Sequence, residues 1–314
     1  TQAATMYVAG VNKQDGHLYL SNSYHLYCSG DFIETGGYHD NHGRVHMISD
    51  NTTIGLCRIN AFDCLYVDAN INCNKISLYN LTISENKTLT INDTVGLYYY
   101  GTTQFLYNYG EINGNGKLEI YLRYTTNTIS LTNINVDVLF IGYSGINVNP
   151  SIKLIGSGNI KDLIIRSDHS TYTATLDLNG YDLECDSLTL GTRGILKCGN
   201  GTITTSSLDS SAGTIIPETA QWIFDGAGTD KINGTDKFHD LVIREDAFIT
   251  LGSNITIENE FMNAGEIAMG AYAITHETPS EYYTVPMIYP IVRSVKRSPF
   301  FKGRFARNFE RGGM

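Results

Sequence analysis

The feature that most restricts this chain is a short phrase written three times. It reads Asn80-Leu81-Thr82-Ile83-Ser84-Glu85-Asn86, then Asp162-Leu163-Ile164-Ile165-Arg166-Ser167-Asp168, then Asp240-Leu241-Val242-Ile243-Arg244-Glu245-Asp246, with nearly equal gaps between the copies. In each copy Leu-x-Ile puts two apolar side chains on one side of a strand and the residue between them on the other. Two weaker echoes accompany it. Asn108-Tyr109-Gly110-Glu111-Ile112 follows the first copy as Asn263-Ala264-Gly265-Glu266-Ile267 follows the third, and residues 152–158 match 222–228. Self-similarity at a fixed spacing predicts an array in which coils bury one another's apolar sides. With roughly 20 residues per coil, a period near 80 would hold about four coils.

The same rhythm fills the rest of the body. Leu65/Val67, Ile76/Leu78, Leu89/Ile91, Leu118/Ile120, Leu176/Leu178, Leu188/Leu190 and Ile255/Ile257 are apolar pairs separated by Asn, Gly, Asp and Ser. Each pair reads as a short strand and each interruption as a corner. No segment has the 3.6-residue apolar period of a helix. A meander sandwich would also give short alternating strands, but the repeated phrase favours the solenoid. The expected fold is therefore all-β: a β-solenoid or parallel β-helix over residues 64–278, preceded by an irregular β-rich region or cap over 1–63. The last segment, 279–314, reads as an extended C-terminal arm. Four of the six prolines lie in it (Pro279, Pro286, Pro290 and Pro299).

Charge divides at the same place. Residues 1–278 carry 15 Lys/Arg against 30 Asp/Glu, and residues 279–314 carry seven against two. An acidic body excludes nucleic acid as its main partner, because phosphate binding needs concentrated basic charge. No apolar run reaches the roughly 18–20 residues that span a bilayer. Thr1 fits either a cleaved leader or a trimmed initiator methionine. The six cysteines (Cys28, Cys57, Cys64, Cys73, Cys185 and Cys198) form no CxxC pair, so they read as small buried hydrophobes with disulfides as the alternative.

Several stretches resemble a known class. Residues 175–183 (Thr-Leu-Asp-Leu-Asn-Gly-Tyr-Asp-Leu), the segment Trp222-Ile-Phe-Asp-Gly with Ile232-Asn-Gly234, and residues 249–257 (Ile-Thr-Leu-Gly-Ser-Asn-Ile-Thr-Ile) are similar to β-solenoid repeats of prokaryotic surface proteins and virion appendages. The resemblance covers 152–278 well and 64–150 loosely. It implies a structural protein more than a catalyst, since the motif consists of corner Gly and Asn with inward Leu and Ile.

Catalytic chemistry finds little support against that background. Asp177, Asp182, Glu184 and Asp186, and separately Asp225 and Asp230, are candidate acids, but Asp at a turn is expected for backbone hydrogen bonding. No GxSxG elbow, HExxH or Walker loop is present. His39, His42 and His46 have the spacing of weak metal ligands, with His39 in a turn and the other two on one strand face; a polar turn is the plainer reading, so no metal and no cofactor are expected. Tyr98, Tyr99, Tyr100, Tyr107 and Tyr109 are candidate glycan contacts, with cross-strand packing as the alternative. In the arm, Arg293, Lys296, Arg297, Phe300, Phe301, Arg304, Phe305, Arg307 and Phe309 alternate aromatic and basic groups, which suits docking on an acidic neighbour.

These readings lead to a non-catalytic structural subunit of an extracellular, cell-surface or virion assembly such as a fibre, appendage or sheath. Its partners would be copies of itself, through solenoid faces and the arm. A carbohydrate-binding adhesin that contacts surface glycans is the second expectation, and a polysaccharide-degrading enzyme the third.

Overall fold

The structure is a computed structural model that describes residues 4–277, apart from 14–16, 21–23, 36–37, 42, 57–61, 100–104, 123–126, 144–148, 227–229 and 235–236. The described residues form 31 strands and no helix. Strand pairs are parallel along the stack, as they must be when the chain winds back to the same face in the same direction. Three short strands close a coil, and three ladders of hydrogen bonds run along the axis.

The first face carries the clearest column. Ile76, Val95, Leu118, Leu139, Leu163, Leu188, Leu208, Ile232 and Leu251 lie one above another, one per coil, and none is more than 3% exposed. On the second face Leu26, Val45, Leu65, Leu81 and Leu106 do the same, followed in later coils by Ile152, Leu176 and Leu196. The third face stacks Phe32, Ile54, Cys73 and Ile91, and further on Leu183, Ile203, Trp222 and Leu241. Trp222 meets Phe238 edge-on at 5.3 Å, and Phe224 meets Phe238 at 6.2 Å. Each buried Leu or Ile contributes about 1.5–3 kcal/mol relative to an exposed one.

The three copies of the phrase lie in this one stack but on different faces. Leu81 stands on the second face, Leu163 on the first and Leu241 on the third. From Leu163, three coils along the first face lead to Ile232, and the next strand carries Leu241 onto the third face. The gap between copies is thus not a whole number of coils, and the expected four-coil repeat is corrected. Coil length also varies: the coil that brings Leu81 over Leu65 is much shorter than the one that brings Leu188 over Leu163. What the copies share is the way a strand enters a corner. The carbonyls of Ile83, Ile165 and Ile243 accept from the N–H of Tyr109, Gly191 and Ala264 one coil on, at 3.0, 2.9 and 2.9 Å.

Corners are tight turns closed by a bond from the fourth N–H to the first C=O: Lys87 to Ser84, Ile134 to Leu131, Tyr181 to Leu178, Gly194 to Gly191 and Ala247 to Arg244, at 2.9–3.1 Å. Asn51, Asn86, Asn133 and Asn179 occupy the left-handed region, with φ between 54° and 60°, a conformation Asn tolerates better than most residues. Aspartates and asparagines next to the corners cap the following coil: Asp31, Asp50, Asp182 and Asn254 accept from the N–H of Thr53, Asn70, Thr202 and Ala273 at 2.7–2.9 Å. The repeated Asn-x-Gly-Glu-Ile phrase has a matching cause. A Cβ at Gly110 would collide with the carbonyls of Lys87 and Ser84 and lie 2.9 Å from Ile83 Cγ2; one at Gly265 would collide with those of Arg244 and Ala247 and lie 2.9 Å from Ile243 Cγ2.

The division drawn at residue 63 is not a break in the ladder. Strands Ala4–Val8, Tyr24–Cys28, Arg44–Met47 and Phe62–Val67 pair in succession, so the described N-terminal strands continue the stack. Their columns use Cys28, Met47 and Phe32 where later coils use Leu and Ile, which hides the rhythm. Cys28, Cys64, Cys73, Cys185 and Cys198 are buried. Cys64 and Cys73 sit on different faces, as do Cys185 and Cys198, so neither pair stacks. Burial pushes the Cys185 thiol up to about 12. Cys57 lies outside the described residues.

Two substitutions separate corner fit from corner strain. Gly265→Ala is expected to lower stability by about 1–3 kcal/mol, the usual cost of forcing atoms into a filled site. Glu218→Gly is expected to hold or raise it by up to about 1 kcal/mol, because Glu218 sits at φ 49° where L side chains are strained. Urea denaturation of the two variants checks both signs, and a Gly265→Ala protein as stable as the parent would contradict the close approach.

Candidate functional site

The largest outward-facing constellation lies on the second face near the N-terminal end. Tyr7, Tyr27, His46 and Tyr66 occupy one outward column, with ring centroids 4.9, 4.3 and 4.2 Å apart and interplanar angles of 23°, 13° and 5°. Rungs of a parallel ladder repeat at about 4.8 Å, so flat rings at equivalent positions stack without distortion. His46 joins this column to a polar chain. Its Nε2 lies 3.0 Å from His25 Nδ1 and its Nδ1 lies 3.0 Å from Asp68 Oδ2. Ser84 Oγ donates to the other Asp68 oxygen at 2.5 Å, and Arg44 Nη1 stands 3.5 Å from His25 Nε2. The hydroxyl therefore bonds the carboxylate and not an imidazole, which is not the arrangement of an activated serine nucleophile.

The sequence placed His46 with His39 and His42. Its described partners are instead His25 and Asp68. His39 belongs to the strand Tyr38–Asn41, paired with His17–Leu20, and not to a turn; His42 lies outside the described residues. Among the described residues no three His, Cys, Asp or Glu side chains converge to hold a metal ion. His25, Tyr27, Tyr66 and Asp68 were missed. The signal was present: Tyr7, Tyr27, His46 and Tyr66 follow one another at close to one coil length each.

The tyrosines proposed for glycan contact do not form one platform. Tyr98 faces outward on the first face and stacks on Tyr121 at 4.7 Å. Tyr121 continues to Phe140 at 5.4 Å, and Lys117 and Arg166 each lie 5.1 Å from the Phe140 ring centre. Phe140 is buried because it folds over Gly142, which leaves room for the ring. Burial, aided by Glu119, pushes the Tyr121 phenol upward. Tyr107 is on the second face, opposite Thr82, and Tyr109 is a corner residue, 63% exposed. Tyr99 lies in the strand Thr94–Tyr99; Tyr100 is outside the described residues.

The third face bears a shallow trough of about 750 Å³, lined by Asn135, Asn159, Asp182, Glu184, Thr204 and Ile223 among others. Of the candidate acids, only Asp182 and Glu184 line it. Asp182 is committed to the Thr202 N–H at 2.8 Å. Asp177 accepts from the Asn179 N–H at 3.0 Å and lies 3.5 Å from Lys197 Nζ. Asp225 pairs with Arg244 at 3.4 Å, and Asp186 lies on the corner between the third and first faces. The contacts of Asp177, Asp182 and Asp225 each tie one coil to the next.

Both ends of the described stack expose core-type side chains. Met6, in the inward column of Leu26, is 57% exposed at one end, and at the other Phe261, Ile267, Met269 and Ile274 are only partly covered. Among the described residues no strand pairs beyond Glu266–Ala268 and Ile274–His276. The arm residues Arg293, Lys296, Arg297, Phe300, Phe301, Arg304, Phe305, Arg307 and Phe309 lie outside the described residues. Among those described, no helix is long and apolar enough to cross a membrane.

The histidine chain gives the N-terminal coils a pH dependence. Burial, reinforced by His46 and Arg44, holds the His25 pKa below its ordinary value of 6.5. A lowered folded-state pKa means that the neutral ring is favoured by folding. Its contribution is present above about pH 6.5 and is lost as pH falls toward the folded-state value. Lowering the pH from 7.5 to 5.5 is expected to reduce the urea midpoint more in the parent than in His25→Gln; equal reductions would remove His25 from the account. Comparison with protein-family models, curated proteins and solved structures returned no significant match for this chain.

Proposed function

We propose that this chain is a non-catalytic structural subunit of an extracellular or virion-surface assembly, a fibre, appendage or sheath, that self-associates through its solenoid and its C-terminal arm. The observation that carries the reading is the pair of open ends. Among the described residues no strand pairs beyond Ala4–Val8 at one end or Ile274–His276 at the other, and the inward-column side chains Met6, Phe261 and Ile274 are only partly covered there. Edges of this kind need a cover or a partner, and the end of a parallel stack is matched in direction and spacing by the end of another copy.

The chemistry of the side chains favours the same reading. Asp177, Asp182 and Asp225 are occupied in holding coils together, and the outward aromatic groups stack on each other. The arm supplies seven basic residues against two acidic ones for contact with an acidic body. Polar and aromatic alternation of that kind is suited to an interface rim with anchoring rings.

Removing residues 293–314 is expected to leave a folded monomer with an unchanged far-ultraviolet spectrum and to abolish assembly, as measured by light scattering after size-exclusion chromatography and by electron microscopy. A truncated chain that still forms the parent oligomer would overturn the role given to the arm.

A further inference from the structure

We infer that the trough on the third face is the receptor for the arm of a neighbouring copy, with residues 301–307 laid along it parallel to the solenoid axis. This rests on the subunit reading above and names the surface that the arm would occupy. Three observations carry it: the length of the trough, the unlike character of its two rims, and the alternation of the arm.

The trough crosses six successive coils, from Asn135 through Asn159, Glu184, Thr204 and Ile223 to Arg244. Five steps of about 4.8 Å make roughly 24 Å, which an extended chain at about 3.3 Å per residue covers with about seven residues. Its lining mixes polar side chains with Leu131, Ile134, Leu183 and Ile223 and contains no aromatic group to fill it. A backbone without a fixed hydrogen-bond register can lie across such a surface, which runs perpendicular to the strands below.

The rims differ. On the corner between the second and third faces, Ile155 and Tyr181 stand 46% and 37% exposed. On the corner between the third and first faces, Asp137, Asp162 and Asp186 gather around Lys161, which pairs with Asp137 at 3.1 Å. Three carboxylates against one ammonium leave that rim negative. The Asp162 carboxyl is correspondingly held above the usual carboxylate range, by burial first and then by Asp186 and Asp137, with Lys161 opposing. In an extended segment alternate side chains point to opposite sides. Phe301 and Phe305 would then face one rim, and Lys302 and Arg304 the other. The aromatic side matches Ile155 and Tyr181, and the basic side matches the carboxylates.

The test uses the full chain. A photo-crosslinking benzophenone amino acid replaces Phe305, isotopically heavy and light preparations are mixed before assembly, and crosslinked peptides are mapped by mass spectrometry. The expected result is heavy-to-light links from position 305 to the peptides carrying Ile155, Tyr181 or Glu184. Intermolecular links to any other surface would overturn the trough assignment while leaving the arm as a subunit contact. Links to the trough within a single copy would overturn the inter-subunit placement. An assembled particle with no link from the arm would overturn the arm's role as well. A second arm of the experiment uses Glu184→Lys/Asp186→Lys, two exposed positions, checked for unchanged folding by circular dichroism. Self-association is expected to weaken by roughly tenfold or more, since like charges set face to face oppose association, and to recover when Lys302→Glu/Arg304→Glu is added. Undiminished association of the Lys variant would overturn the charge match.

Discussion

Every coil of this protein depends on the coils above and below it. A single coil is three short strands with no hydrogen bonds among themselves, because each backbone N–H and C=O points along the axis toward a neighbour. Its inward Leu and Ile side chains likewise find their contacts in the adjacent layers. The column from Ile76 to Leu251 is therefore both the hydrophobic core and the device that fixes register. A slip of one residue would turn a whole strand inside out. Burial and pairing are thus satisfied together or lost together, and the cost appears only where the stack stops.

The corners allow the column to persist while coil length changes, as between the Leu65-to-Leu81 and Leu163-to-Leu188 coils. Additional residues are placed at corners, outside the ladders, so Leu163 still stands over Leu139 and under Leu188. The corner chemistry is local: Asn in the left-handed region, a turn bond three residues back, and an Asp or Asn side chain that caps the next coil's N–H. The glycines of the Asn-x-Gly-Glu-Ile phrase serve a different end. Gly110 and Gly265 let one coil's backbone lie against the carbonyls of the coil below, so the echo records inter-coil contact distance and not turn conformation alone.

Much of this was legible in the residues. Leu-x-Ile pairs with Asn and Gly between them specify short strands, corners and an all-β stack, and the same-sided Leu and Ile are the observed core. Three things were not legible. The phrase starting at Asn80, Asp162 and Asp240 looked like a long repeat because any face of a three-sided coil poses the same problem to a strand that ends in a corner. The N-terminal coils looked irregular because Cys28, Met47 and Phe32 fill inward positions and Tyr7, Tyr27, His46 and Tyr66 fill one outward column, so the apolar alternation is reversed to the eye. The partners of His46 are one coil away in sequence, at His25 and Asp68, while the reading by local spacing searched only its near neighbours along the chain. Coil-length offsets carry the side-chain constellations of a stack.

Charge places a last constraint on how such a body associates. Residues 1–278 hold twice as many acidic side chains as basic ones, 30 against 15, whereas residues 279–314 hold seven basic against two acidic. Two acidic bodies brought end to end repel each other over a Debye length of about 8 Å at physiological salt, against the gain from covering Met6 at one end and Phe261 at the other. In the proposed assembly a basic segment on every copy would change the sign of one partner in each contact without altering the coils themselves. Because the donor segment and the acidic receiving surface would differ, such a contact would be heterologous, and a heterologous contact that does not close into a ring propagates. A body with one charge and a terminal segment with the other would thus be a unit with direction, which is what the proposed growth along a line requires.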